Sequence, residues 1–205
     1  MTRTLVQQVK VRTNTTKDSV CKIDAPAVKF ADLWRGYPGG NPCDGNDKNG
    51  NLAFSDQCAI RLGVALKNVG VTFKSYPFKG KCWFSGHEDH ILRAEQLANW
   101  LKLQPFVGCT KVADIKGENW QEKIKGRTGI IFFGNYWRRT NSAGVEEFNP
   151  SGDHIDLWNG EKLTTGSGGL RGRLTTFSRF TLGIGSGIGY SDLGKATQIF
   201  FWEIK

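Results

Sequence analysis

Residues 54–70 read FSDQCAIRLGVALKNVG. Within them Cys58, Leu62, Ala65, Leu66 and Val69 recur at i, i+4, i+7, i+8 and i+11, which is one face of a helix. Ser55 or Asp56 can cap the start and Gly70 stops the end. This reading puts Cys58 in the first turn of a helix whose apolar face is buried. The unpaired N–H groups and dipole at a helix start favour a thiolate over a thiol. The segment is therefore a place to look for chemistry as well as for packing.

Upstream of this helix, residues 1–25 are polar and Thr-rich and are expected to form an irregular arm. Pro26 opens a short helical stretch, AVKFADLW (27–34). GYPGGNPCDGNDKNGN (36–51) is the most turn-rich part of the chain and is not expected to hold regular structure. Downstream, Ile91, Ala94, Leu97, Ala98 and Leu101 stripe a second helix over about 88–102. A short third helix is expected from Glu118 to Ile124.

Strands follow. GIIFF (129–133) is a continuous apolar run, as in a buried strand. HIDLW (154–158) alternates, with His154, Asp156 and Trp158 on one face and Ile155 and Leu157 on the other. Asn159-Gly160 reads as a hairpin turn, and QIFFWEI (198–204) as the last strand. Gly-rich stretches at 166–172 and 183–189 lie between them. Helices first and strands later make an α+β pattern. There is no internal repeat and no domain boundary, so residues 1–205 are read as one domain.

A chain of 205 residues, 39% hydrophobic and 12% aromatic, can bury a sizeable core. Its net charge of 28 − 19 = +9 favours an anionic partner such as nucleic acid, anionic lipid or cell wall. The basic residues are scattered, and no recognition-helix, zinc-finger or single-strand-binding signature accompanies them, so nucleic acid is not expected. The first residues, MTRTLVQQVKVRTNTTKD, lack the apolar core of a Sec signal, and no apolar run is long enough to span a bilayer. Synthesis in the cytoplasm and no membrane span are the expectation.

A thiol nucleophile needs a base, and the chain has three histidines. His154 stands where a loop enters a strand, after Gly152 and Asp153, and can face a helix start at the sheet edge. A third polar group must hold its other ring nitrogen. On residues alone, Cys58 also fits a small core residue, and His154 and Asp156 fit solvated strand positions. His87 and His90 have a spacing that metal ligands use, beside Glu88 and Asp89, but no further ligand accompanies them in a matching setting. Neither metal nor cofactor is expected. The five cysteines form no C-x-x-C pair, and the Gly-rich stretches lack a terminal Gly-Lys-Ser/Thr, which speaks against a phosphate loop.

Four segments together resemble the fourth family of type VI secretion amidase effectors. FSDQCAIRLGVAL (54–66) is similar to the family's nucleophile helix, and GIIFFGNYW (129–137) to the strand before the active-site loop. GDHIDLWNG (152–160) is similar to its histidine strand, and YSDLGKATQIFFWEI (190–204) to its C-terminal strand. They run in the family's order and extend over most of residues 30–204. The resemblance implies a papain-like, NlpC-like α+β fold, with the nucleophile helix packed on an antiparallel sheet. It implies cleavage of the γ-D-glutamyl to meso-diaminopimelate bond of Gram-negative peptidoglycan by Cys58 and His154. It also implies export by the type VI machinery without a signal peptide, action in the periplasm of a target bacterium, and a cognate immunity protein.

In the family pattern an Asp eleven residues after the histidine completes the triad; here that position is Thr165. Asp156, Thr165 with a water, or a group from elsewhere must fill the role, and Asp156 is favoured because only a carboxylate opposes the imidazolium charge. Arg61, one turn beyond Cys58, could meet a substrate carboxylate but reads better as a structural ion-pair partner. An oxidising periplasm makes Cys82 and Cys109, which flank the second helix, the best candidates for a disulfide, with free thiols throughout the equal alternative. Two other classes compete: a basic, Trp-rich wall-binding module without catalysis, and a nuclease, for which no carboxylate–metal constellation is visible.

Overall fold

A computed structural model of the chain describes residues 6–12, 20–54, 56–87, 89–136, 152–164 and 193–205. The apolar run at 129–133 becomes β4 (Gly129–Gly134), buried at every position. Its burial follows from its place in a four-stranded antiparallel sheet of order β3-β6-β4-β5, where it pairs on both sides. Its neighbours are β5 (His154–Trp158) and β6 (Gln198–Glu203), and β3 (Ala113–Asp114) extends the far edge.

The period of two in these strands sorts their side chains into two cores. Ile130, Phe132, Ile155, Leu157 and Trp202 face α2 (Cys58–Asn68) and α3 (Ala94–Leu101) together with α1 (Phe30–Arg35). Ile131, Phe133, Trp158, Ile199 and Phe201 face α4 (Trp120–Lys123) and a 3-10 turn at Leu193–Lys195. The alternation in HIDLW thus sends Ile155 and Leu157 into the first core, as expected. It leaves His154 and Asp156 in register with Phe133 and Ile131.

α2 is buried more deeply than a one-sided stripe requires. Ala59, Leu62, Ala65 and Leu66 pack on the sheet. Ile60 and Val64 pack on a small third cluster with Cys43, Cys82, Phe84 and Leu92. The helix ends in a Schellman motif: Gly70 N–H bonds to Lys67 O at 2.9 Å and Val71 N–H to Leu66 O at 3.0 Å. Gly70 supplies the φ of +87° that this turn needs.

Several expectations are corrected. The N-terminal segment is not an irregular arm: β1 (Val6–Arg12) and β2 (Val20–Pro26) form an antiparallel ribbon pairing Val9 with Ile23. The residue capping α2 is Gln57 rather than Ser55 or Asp56. α3 begins at Ala94, not near 88, because the preceding backbone is committed elsewhere. Cys82 N–H bonds to His90 O and Leu92 N–H to Gly80 O, each at 2.9 Å, holding residues 90–92 against 80–82. Asn159-Gly160 does lie in a hairpin turn: Asn159 N–H bonds to Lys162 O at 3.1 Å and Trp158 bridges Leu163. Cys82 and Cys109 are not paired, since one lies in the third cluster and the other in the core against Leu101. The Gly-rich stretches at 166–172 and 183–189 lie outside the described residues.

Gly129 offers a test of the sheet. A Cβ there would stand 2.1 Å from the backbone oxygen of Trp202 on β6, an atom the ladder holds in place. Gly129→Ala is expected to cost about 1–3 kcal/mol in urea unfolding. Gly39→Ala, at a site with nothing within 4 Å, should stay within about 0.5 kcal/mol of the parent. Equal stability of the two variants would refute the packing.

Candidate active site

Gln57 precedes the thiol and is 2% exposed. Its side chain does not cap α2. Its Nε2 donates to Cys43 O at 2.6 Å and to Phe54 O at 3.0 Å, while Cys43 N–H donates to its Oε1 at 3.1 Å. The helix then starts at Cys58, with Arg61 N–H bonded to Gln57 O at 2.9 Å. No acidic side chain lies in the first turn of α2, so its N-terminal field falls on the partly buried Cys58 without a competing anion.

β5 is the outermost strand of the sheet, and α2 packs against it. There Cys58 lies near enough to His154 to act on the charge of its imidazole. His154 Nε2 stands 3.4 Å from Asp156 Oδ2, with the imidazole 27% and the carboxylate 5% exposed. Burial works against the imidazolium, but the Asp156 and Cys58 contacts outweigh it and raise the His154 pKa from 6.5 to about 10. All three residues singled out from the sequence therefore meet at one place.

Asp156 is itself held. Its Oδ1 accepts the Leu157 N–H at 2.7 Å and the hydroxyl of Thr164. Thr164 is positioned by the turn after β5, where its N–H bonds to Leu157 O at 3.1 Å. Thr164 and Tyr37 are the two members of this site that the sequence did not disclose. Thr164 spends its proton on Asp156, and the Tyr37 phenol lies beside it. Burial first, and then the Asp156 charge, hold the Tyr37 pKa well above its ordinary value of 10.0, so it stays a neutral donor. The result is a polar chain running Tyr37, Thr164, Asp156, His154, Cys58. Thr165 lies outside the described residues.

Arg61 ties structure together through hydrogen bonds. Its Nε donates to Gly40 O at 3.0 Å and its guanidinium reaches Asn41 Oδ1 at 3.4 Å, tying the turn-rich segment to α2. Beyond the strand ends, Asn135 adopts φ +55° and its N–H donates to Asp153 Oδ1 at 3.0 Å. His87 and His90 take no part here. The fold gathers them with Cys43 and Cys82, so that the four potential ligand atoms lie within 4.8 Å of one another.

A cysteine at a helix start, a histidine on a strand and a buried carboxylate behind it can carry out acyl transfer through a thioester. Residues 54–202, which include all three, match the sequence model of type VI secretion system (T6SS) amidase effector protein 4, Tae4. Among solved structures, the chain is similar to effector Tae4 from Salmonella typhimurium in complex with the immunity protein Tai4 from Enterobacter cloacae. That match has 16% identity, covers 86% of this chain and 98% of the other, and has a TM-score of 0.51. The Tae4–Tai4 effector-immunity complex from Salmonella Typhimurium matches with the same figures: 16%, 86%, 98% and 0.51. At such identity the likeness is one of fold. No curated protein sequence matches the chain. The family match extends over most of the chain, and the chain belongs to the Tae4 family of type VI secretion amidase effectors.

Proposed function

We propose that this protein is an antibacterial peptidoglycan amidase that cleaves the γ-D-glutamyl–meso-diaminopimelate bond of the peptide stem through Cys58, with His154 as its base and Asp156 as the group that orients it. The observation that carries this reading is His154 set against the buried carboxylate of Asp156, with Cys58 at the start of α2 near enough to act on its charge. The antiparallel sheet with a cysteine-headed helix against its outer strand fits a papain-like, NlpC-like frame.

In the first step the Cys58 thiolate attacks the γ-glutamyl carbonyl carbon. The negative charge that develops on the carbonyl oxygen meets the backbone N–H of Cys58 at the helix start. The His154 imidazolium then protonates the leaving amine of diaminopimelate, and the glutamyl group remains as a thioester on Cys58. Water attacks the thioester with His154 taking its proton, and the thiolate departs. Because Asp156 engages Nε2, Nδ1 is the ring nitrogen left for the thiol and the leaving group. The net charge of +9 favours approach to the anionic wall. Delivery by the type VI machinery to a target periplasm, and neutralisation in the producer by an immunity protein of the Tai4 kind, complete the reading. No helix among the described residues is long and apolar enough to cross a membrane.

Digestion of purified Gram-negative peptidoglycan, with the muropeptides resolved by mass, tests the assignment. New stems ending in D-glutamate and fragments with a free diaminopimelate amine are expected. Cys58→Ala should abolish them while its unfolding midpoint stays close to the parent's, and hydrolysis by the folded variant would overturn the mechanism.

Asp156→Asn keeps the shape of the carboxylate and removes its charge, so kcat/KM should fall by about a thousandfold or more. Thr164→Val, which removes one of the bonds holding that carboxylate, should cost less, and Thr165→Val little. A near-parental rate for Asp156→Asn, or a larger loss in Thr165→Val, would end the assignment of Asp156.

The raised His154 pKa gives a sign for pH. Its protonation contributes stability that is complete below pH 6.5 and is lost as pH rises through about 10. The alkaline limb of kcat/KM should accordingly lie near pH 10, and Asp156→Asn should move it toward neutrality. A limb that does not move on this substitution would show that Asp156 does not set the charge of the imidazole.

A further inference from the structure

The geometry points to a structural zinc site formed by Cys43, Cys82, His87 and His90, separate from the catalytic residues. The four residues come from three stretches of irregular backbone. Cys43 belongs to the turn-rich segment after α1, Cys82 to the loop between α2 and α3, and His87 and His90 to the bend that follows it. All four ligand atoms lie within 4.8 Å of one another. Cys43 Sγ is 3.3 Å from His87 Nδ1, Cys82 Sγ is 3.8 Å from it, and the two imidazoles stack with centroids 4.4 Å apart.

Zinc bonds of about 2.3 Å to sulfur and about 2.0–2.1 Å to nitrogen make a tetrahedron with S···N edges of roughly 3.5 Å and an S···S edge of roughly 3.8 Å. The two measured sulfur–nitrogen distances fall on either side of the first value. The sulfurs stand 2.7 Å apart, so metal binding must part them by about an ångström, which side-chain rotation can supply. That same spacing exceeds the ~2.05 Å of a disulfide bond.

The donor set selects the metal. Two thiolates and two imidazoles in a tetrahedral array suit zinc and offer little to magnesium or calcium, which take oxygen ligands. Four protein ligands leave no open position for water or substrate, which makes the site structural rather than catalytic. Zinc binding replaces the two thiol protons, which pass to solvent. Both thiols are buried against Ile60 on the back of α2, where an unpaired anion would be costly and a dication neutralises the pair.

The fold has a use for such a bond. Among the described residues, 36–57 and 71–93 contain no helix or named strand, so few ladder bonds hold these two long segments. The metal would join them behind the start of α2. Cys43 is also the residue whose backbone N–H and C=O clasp Gln57, immediately before Cys58. A metal on Cys43 therefore steadies the position of the helix start without touching the thiol there.

Elemental analysis of the full chain, purified under reducing conditions without chelators or metal-affinity resin, tests this. About one zinc per chain is expected, released by a mercurial reagent, and lost in Cys43→Ser, Cys82→Ser and His87→Ala. Because those variants could fail to fold, the unsubstituted chain is also stripped and titrated with cobalt. The intense visible bands of tetrahedral cobalt, with thiolate-to-metal charge transfer, should saturate at one equivalent. Stripping should lower the melting temperature by about 10 °C. Absence of bound zinc together with an octahedral or absent cobalt spectrum would overturn the site, as would a Cys43–Cys82 disulfide found by mass in the chain purified without reductant. Metal content and spectra are read whether or not peptidoglycan is hydrolysed, so this result is independent of the amidase assay.

Discussion

The carboxamide of Gln57 exchanges two hydrogen bonds with the main chain of Cys43 and gives a third to Phe54. A buried side-chain amide that lost these partners would cost about 1–3 kcal/mol for each group left unpaired. The requirement to satisfy it fixes where the turn-rich segment lies and where α2 begins. Because Gln57 spends its amide on Cys43 rather than on capping, the N–H groups of the first turn stay available to an anion. A Ser or Asp cap would have satisfied one of them and placed competing oxygens beside Cys58. The helix start is steadied by its predecessor's backbone partners, and its field is left for the thiol.

The second constraint is the burial of Asp156. A carboxylate 4% exposed would be expelled from a protein interior unless its charge and its lone pairs were met. Here a backbone N–H, a threonine hydroxyl and an imidazole meet them. The tyrosine beside Thr164 adds a further neutral polar group to the cluster. The elements supplying these groups are far apart in sequence: the segment after α1, the first turn of α2, β5 and the turn after it. They meet because β5 is the outer strand, with the start of α2 against it.

What the sequence disclosed follows the range of each signal. Alternation in HIDLW placed His154 and Asp156 on one face and the helical stripe placed Cys58 at a helix start; both are local periodicities, and both appear in the structure. Thr164 escaped because counting eleven residues from the histidine leads to Thr165, whereas the four-residue turn at Asn159–Lys162 returns Thr164 to Asp156. A slip of one residue exchanges faces in an extended segment, so spacing alone could not choose between them. Tyr37 had no periodic context at all. The GHEDH segment resembled a helix start because its polar residues fit one. Its backbone was claimed instead by a partner strand segment ten residues earlier, a tertiary preference invisible to local propensity. The same holds for Cys43 and Cys82, 39 residues apart and joined by no motif.

The family pattern puts the triad carboxylate eleven residues beyond the histidine, and here that position carries no charge. On the proposed reading the carboxylate is the second residue after the histidine, and that placement has a geometric consequence. Side chains at i and i+2 of a strand leave it about 6.8 Å apart, so each must lean toward the other to meet. The observed 3.4 Å between Nε2 and Oδ2 is the outcome of that leaning, and it is longer than a good charged hydrogen bond. A contact of that length orients the imidazole only if the carboxylate cannot turn. Leu157 N–H and Thr164 hold its other oxygen, and Tyr37 lies beside Thr164. An acid on the histidine's own strand is here anchored from behind by a backbone N–H and a threonine hydroxyl, which leaves its second oxygen turned toward the imidazole.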